Sequence, residues 1–569
     1  LEQIKMATKL RTWFSCRLSN TTDQSVDRRN QCDNPISLAQ IARPHNHRIS
    51  RICNRPPLRS HSAMISVRMP KPLTPTEAKR SGETFGGVRL VTILRVYRDM
   101  IFLHIQAHPK DTHRMPATDN RPNILLIMTD EHRGDALGIE GHPIVETPYL
   151  DAIAASGTHF TSGYSATPVC IPARRTLMTG TKASTHGVFM NYATHLDQPT
   201  LPETLSEAGY QTHLVGKLHL YPARKKYGFD STDWADNPAQ HDTSIVDDDF
   251  QIFLQEHGLY GPDIARAHGV DENGWVARPY HLDERYHFTN WCAEKSMRFL
   301  ERRDPTTPFF LKMSIHAPHA PCAPPKYYFD KYMAMDIPEP VVAEWARVFD
   351  GPQRGLSVKS WRTALEPKVL KQYMAGYYGS IEHADHQIGR VLNHVPENTI
   401  IIFTSDHGEM LGEHQWIRKR SAFEGSARIP YLIKLPDSMG VERGQSVDNV
   451  VELMDIMPTI LDAAGVEIPE SVDGSSLMPL LQGEIEHWRD YIHGECTPME
   501  TINSGMQFIT DGKEKYIYYP GRGEEQFFDL VNDPFEMTNL SDDPDYADRI
   551  ELNRSRLIIE LEGRPENFV

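Results

Sequence analysis

Four short apolar runs, each stopping abruptly on ionisable residues, constrain this chain more than any other feature. "NILLIMT" at 123–129 stops at Asp130-Glu131-His132, and "TIIIFTS" at 399–405 stops at Asp406-His407-Gly408-Glu409. "PFFLKMSI" at 308–315 ends at His316-Ala317-Pro318-His319, and the weaker "YQTHLVG" at 210–216 ends at Lys217-Leu218-His219. A run that is apolar throughout, without alternation, suits a strand buried on both faces. Segments of helical pattern separate these runs, so the chain predicts a parallel α/β sheet.

Such sheets bind ligands beyond the carboxyl ends of their strands. One polar residue at a strand end is punctuation, but four strands delivering carboxylates, imidazoles and an amine to one edge describe a site. Asp130, Glu131, Asp406 and His407 form the natural metal set. Three carboxylates suit a hard divalent cation, Ca²⁺, Mg²⁺ or Mn²⁺, while the single imidazole also admits Zn²⁺ as a weaker candidate. Lys217, His219, His316 and Lys419 then supply positive charge and exchangeable protons. A cation beside several such groups fits an anionic ester, phosphate or sulfate.

The stretch "VCIPARRTLMTG" at 169–180 adds a cysteine. Pro172 suits the first turn of a helix, which places Cys170 at a helix N-terminus, where free amides favour an anion. A plain thiolate nucleophile fits that position, yet thiolate is a poor match for a hard, oxygen-ligated cation.

The pentapeptide Cys170-Ile171-Pro172-Ala173-Arg174 resembles the C-x-P-x-R signature of type I sulfatases, in the alkaline phosphatase superfamily. "RPNILLIMTDEHRGDALG", "GKLHL", "IHAPHAP", "FTSDHGEMLGEH", "KRSAFEGSARIP", "DIMPTILDAAGV" and "QFFDLVNDPFEMTNL" resemble that family's other landmarks, in its order, from about Asn123 onward. The resemblance implies a large mixed, mostly parallel sheet sandwiched by helices, and hydrolysis of a sulfate ester. It implies that Cys170 is converted by a maturation enzyme to Cα-formylglycine, whose hydrated aldehyde is the nucleophile, which removes the mismatch with a hard cation. It places the metal, expected to be Ca²⁺, on Asp130, Glu131, Asp406, His407 and the modified Cys170. Many sulfatases carry Asp where Glu131 stands and Asn where His407 stands. Arg174 is expected to hold the nucleophile and the anion, and Lys217 and Lys419 to grip sulfate oxygens. His316 with Lys419 is expected to protonate the leaving alcohol, His219 to assist sulfate release, and Asp406 to activate the nucleophile. Phosphonate monoester or phosphodiester hydrolysis, by relatives sharing the nucleophile and an Asp-His metal pair, is the nearest alternative. A catalytically silent binding protein on this scaffold would lack one of these residues, and none is missing.

Elsewhere the expectations are plainer. His186 reads as structural, Glu409 as a brace for the Asp406 loop, Arg175 as a solvent-facing helix start, and Cys322 as a small packed residue. The acidic run at 241–249 reads as a solvated loop, and the irregular segments 224–286 and 336–368 as carriers of substrate selection. After Val451 the pattern predicts a helix ending at Gly465 and a hairpin with a type I′ turn at Asp511-Gly512. A third strand at 525–531 and a helix at 546–563 complete a small antiparallel subdomain over 451–569, after a catalytic domain at 119–450.

Residues 1–118 stand apart. The first 114 hold 20 Lys/Arg against 8 Asp/Glu, although the whole chain carries a net charge of −16. Cys16, Cys32 and Cys53 have no metal-site spacing there, and upstream sequence read through into a start at Met115 is the favoured explanation, with a functional basic arm and a transit peptide behind it. A start at Met115 implies a cytoplasmic protein, with the periplasm or secretion as the alternative. The acidic body argues against a nucleic-acid partner, and no window approaches the roughly 20 apolar residues of a membrane span.

Overall fold

The computed structural model describes residues 119–236, 247–261, 273–484, 487–498 and 502–564. Among these, eight strands form one sheet: β1 (Asn123–Asp130), β2 (Thr158–Phe160), β3 (Gln211–Gly216), β4 (Ser231–Trp234), β5 (Phe309–Pro318), β6 (Thr399–Ser405), β7 (Tyr431–Lys434) and β8 (Gln445–Val447). Their order is β4-β3-β5-β1-β6-β7-β2-β8. All neighbours from β4 to β6 run parallel, β7 runs antiparallel to both β6 and β2, and β8 is parallel to β2. The sheet is mixed and mostly parallel, as the resemblance implies. The four runs recognised in the sequence are the consecutive strands β3, β5, β1 and β6, so their carboxyl ends share one edge.

Why these runs are apolar throughout is visible on β1. Ile124, Leu126 and Met128 pack into one core with Phe310, Ile400 and Ile402, beneath the helix α1 (Cys170–Thr179). Leu125 and Ile127 point the other way, into a second core with Leu311, Met313 and Phe403. The helices α2 (Phe288–Arg302) and α3 (Pro367–Leu392) cover that face through Trp291, Met297, Ile388 and Val391. Each fully buried aliphatic side chain contributes about 1.5–3 kcal/mol, and both faces of every central strand collect it.

Register then sets the site. Thr129 pairs with Ser405, so Asp130 and Asp406 leave the sheet side by side. Gly216 pairs with Ser314 and turns the chain toward Lys217 with a left-handed φ of 92°; a Cβ there would lie 2.1 Å from the Ser314 carbonyl oxygen, so only glycine fits.

The second sheet is antiparallel, with β9 (Ile492–Cys496), β10 (Met506–Thr510), β11 (Glu514–Tyr519) and β12 (Glu524–Asp529) in that order. Alternation sorts its faces: Ile509, Tyr516 and Phe527 pack on helix α4 (Ala547–Leu561), whereas Phe508, Ile517 and Phe528 pack on Met410 and Phe423 of the large unit. The hairpin turn differs from expectation. A type I′ turn needs positive φ at both central residues, and only Gly512 has it. Asp511 instead accepts the Lys513 and Glu514 amides on Oδ1, both at 2.8 Å, closing a longer connection with its own side chain.

Two more elements lay hidden in the irregular segments. Within 224–286 the chain forms β4 and the helix Asp249–Glu256, whose N-cap Asp248 accepts the Gln251 amide at 2.8 Å. The described end of the acidic run is therefore a helix cap, and 241–246 lie outside the described residues. The 26-residue α3 was not anticipated either. Among the described residues no helix is long and apolar enough to cross a membrane.

Candidate active site

Cys170 begins α1, after Val169 in extended conformation, and no side chain caps that end. Little of its first turn is left to the site: Ile171 donates to Asn191 Oδ1 at 2.9 Å, Pro172 has no N–H, and Ala173 donates to the Val169 carbonyl at 3.0 Å. Arg174 follows one helical turn later, on the same face. Its guanidinium donates to Asp406 Oδ2, Asp130 Oδ2 and Ser314 Oγ, each at 2.9 Å, and to the Lys217 carbonyl at 3.1 Å. It is fully buried.

Around the Cys170 sulfur, His407 Nε2 stands at 3.2 Å, Lys419 Nζ at 3.1 Å and Asp130 Oδ1 at 3.9 Å. His407 spends Nδ1 on the Gly408 carbonyl at 3.0 Å, which leaves Nε2 facing inward. Lys217 Nζ lies 2.7 Å from Asp130 Oδ2. The potential ligand atoms of Asp130, Cys170, Asp406 and His407 all lie within 4.8 Å of one another, and all four residues are buried. Two carboxylates and an imidazole converging on the start of a helix fit a divalent cation. Glu131 stands outside that group. Its backbone is left-handed, with φ 67°, and its carboxylate faces His319 at 3.5 Å and Lys419 at 3.7 Å.

The electrostatics follow from packing opposite charges together out of solvent, with Asp130, Arg174, Asp406 and His407 all buried. Burial and Asp130 push the Cys170 thiol up, but Lys419, His407 and Lys217 outweigh them and hold it well below its ordinary range. Burial also opposes ionisation of Asp130, which Lys217, His319, Arg174 and Lys419 nonetheless keep well below the usual carboxylate range. Burial, then Asp130, raise Asp406. Burial lifts Glu131 to about 8. His407, although desolvated, is raised to about 9 by Asp406.

The two histidines at the end of β5, His316 within the strand and His319 just past it, divide differently from expectation. His316, expected beside Lys419, has Nδ1 3.4 Å from Lys217 Nζ and Nε2 3.1 Å from the Ala320 carbonyl. The imidazole against Lys419 is His319, with Nε2 at 2.7 Å from Nζ and Nδ1 at 2.7 Å from the Ala320 carbonyl. The hydrogen bonds assign its tautomer: Nδ1–H donates to Ala320 and Nε2 accepts from the ammonium. Burial and then Lys419 push His319 down to about 4, so it is neutral. The signal that would have found it is the His-x-x-His spacing at a strand end.

His219, on a left-handed residue (φ 56°), is buried with neither ring nitrogen hydrogen-bonded. Asp236 holds it there, accepting the amides of Leu218 and His219 at 2.7 and 2.8 Å. Glu409 accepts the amides of Leu411 and Arg418 at 2.7 and 2.5 Å, as a brace. His186 hydrogen-bonds Thr176 and the Val188 amide, a local role, and Cys322 is packed in a core. Arg175 is not solvent-facing. It is 2% exposed, because its guanidinium turns inward to the carbonyls of Thr194 and His195.

Comparison with known proteins decides the family. The model of the sulfatase family matches residues 122–466, and that of the N-sulphoglucosamine sulphohydrolase C-terminal region matches residues 412–561. The chain belongs to the sulfatase family. It is a sulfuric ester hydrolase on an alkaline phosphatase-like fold. An arylsulfatase of Clostridium perfringens is 42% identical over 470 residues, covering 79% of this chain and 96% of that protein. Among solved structures, the phosphonate monoester hydrolase of Agrobacterium radiobacter superposes with a TM-score of 0.66 at 27% identity, over 77% of this chain and 95% of that one. A structure in complex with its substrate D-glucosamine-2-N,6-O-disulfate gives 0.63 at 26% identity, over 79% and 99%.

Proposed function

We propose that this sulfatase hydrolyses an aryl or carbohydrate sulfate, using Cα-formylglycine formed from Cys170 by a maturation enzyme. One observation carries the reading: a buried Cys170 clustered with Asp130, Asp406 and His407, and the cations of Lys419, Lys217 and Arg174 packed against that cluster. The formylglycine would supply a hydrated-aldehyde oxygen as nucleophile. A Ca²⁺ ion, held by Asp130, Asp406, His407 and the oxygen at position 170, with Glu131 beside it, would supply Lewis-acid stabilisation of that oxygen and the sulfate.

The remaining work belongs to the chain's own side chains. Arg174, Lys217 and Lys419 bind sulfate oxygens with their charges fixed before substrate arrives. Asp406, raised by burial and Asp130, is the base that takes the nucleophile's proton. His319 and Lys419 form one hydrogen-bonded pair that delivers a proton to the leaving oxygen. His219, with its ring nitrogens unspent, accepts the proton whose loss releases sulfate.

Likeness to a phosphonate monoester hydrolase favours one second reading, cleavage of phosphonate or phosphate esters at the same site. Parallel initial rates on 4-nitrophenyl sulfate and 4-nitrophenyl phenylphosphonate separate the two. The sulfate is expected to have the larger kcat/KM, and a larger value for the phosphonate overturns the assignment.

A further inference from the structure

Lys419 reaches the site on strained backbone. Arg418 and Arg420, its neighbours on both sides, have left-handed φ values of 70° and 73°, which side chains bearing a Cβ adopt rarely. The lysine points inward, with Nζ 3.1 Å from Cys170 Sγ and 2.7 Å from His319 Nε2. Both arginines point to a single indole. The guanidinium carbons lie 3.5 Å (Arg418) and 5.1 Å (Arg420) from the centre of the Trp361 ring.

Trp361 is itself anchored to this loop. Its carbonyl accepts the Ile417 amide at 2.9 Å. The next residue, Arg362, bridges to Trp416 and covers that ring at 4.2 Å. Other bonds hold single points of the loop: the Arg418 amide on Glu409 and its guanidinium on the Lys359 carbonyl, the Arg420 amide on the Pro168 carbonyl, and the Arg420 guanidinium on Thr497 and the Pro498 carbonyl. The indole joins the two arginine side chains to each other.

We propose that Trp361 is a positioning residue for Lys419: by holding Arg418 and Arg420 on one side of the chain, the indole commits the intervening lysine to the other, toward Cys170. The physical need is clear. Three consecutive cations repel, and a carboxylate placed to gather two of them would compete with the anionic substrate nearby. A π face attracts guanidinium without adding negative charge.

The kinetic arm of the test rests on the sulfatase reading above; the proteolytic arm does not. Trp361→Ala is expected to lower kcat/KM on an aryl sulfate about tenfold, and Trp361→Phe, which keeps a π face, to recover most of it. In a Lys419→Ala background, Trp361→Ala should change the residual rate by no more than about twofold, since the residue it positions is gone. An equal loss in both backgrounds, or a Phe variant as poor as the Ala variant, overturns the proposal. Trypsin supplies the independent arm: native Trp361→Ala should be cut after Arg418, Lys419 or Arg420 faster than Trp361→Phe, and equal rates overturn it even if no sulfate ester is turned over. Should the Ala variant not fold, Trp361→Leu, which fills space without a π face, takes its place in both arms.

Discussion

Replacing Arg174 by methionine removes the group that ties the two central carboxylates together. The guanidinium is fully buried and makes 2.9 Å hydrogen bonds to Asp130, Asp406 and Ser314, and a fourth to the Lys217 carbonyl. Breaking a buried ion pair from one side leaves uncompensated charge and costs about 3–5 kcal/mol. Here Lys217 still stands 2.7 Å from Asp130 and His407 3.6 Å from Asp406. The loss therefore falls at the lower end, about 3 kcal/mol. Losing one fixed donor to the developing anion lowers kcat by roughly 10²–10³. Arg174→Lys keeps the charge but cannot span four acceptors with one ammonium, so it belongs between methionine and wild type. Denaturation midpoints in guanidinium chloride, with initial rates on an aryl sulfate in excess Ca²⁺, measure both effects. A methionine variant within about 1 kcal/mol of wild-type stability and within about threefold of its rate would refute the reasoning.

Three further outcomes follow from the same geometry. Asp385, buried while accepting the Tyr149 and Leu150 amides, is lifted by burial from 3.8 to about 7. A carboxyl whose folded pKa is raised favours the fold while protonated, so stability is full below about pH 4 and falls as pH rises to about 7. Asp385→Asn should flatten that part of the stability–pH curve, and an unchanged slope counts against the assignment. His319→Ala should slow esters of poorly acidic alcohols far more than nitrophenyl sulfate, whereas His316→Ala should show no such leaving-group dependence; the opposite pattern would return the proton-delivering role to His316. Chelation should abolish activity and Ca²⁺ restore it at least as well as Zn²⁺, and restoration by Zn²⁺ alone would contradict the carboxylate-dominated site.

The sheet and its catalytic edge were legible because the central strands are buried on both faces. An uninterrupted run such as "NILLIMT" permits little else, and its abrupt stop at Asp130 marks the edge. Arg174 follows Cys170 by one helical turn, and Lys217, Asp406 and His407 come directly after strand ends that register sets side by side, so these positions are readable from the local pattern. His319 escaped because two histidines three residues apart stand at the end of β5, His316 inside it and His319 just past it, and only the turn beyond decides which meets Lys419. The helix α3 escaped for a different reason. Its buried residues from Tyr373 to Val391 include three glycines, one histidine and two acids; Glu382 is satisfied by Lys331, and Asp385 by backbone amides. The apolar stripe is present in Met374, Tyr377, Ile381, Ala384, Ile388 and Val391, but the polar residues and glycines buried between them blur its period. Arg175 was misread because carbonyls of a distant segment, unseen in the pattern, draw it inward.

The central claim, that the nucleophile is made from Cys170, is tested most directly by the mass of the tryptic peptide ending at Arg174 in active enzyme. Conversion to formylglycine makes that peptide about 18 Da lighter than the thiol form, and hydration of the aldehyde returns nearly all of that mass. Specific activity should rise in proportion to the converted fraction across preparations made with and without a maturation enzyme, and Cys170→Ser and Cys170→Ala should both fail to turn over. Full activity in enzyme whose Cys170 remains an unmodified thiol would contradict the account.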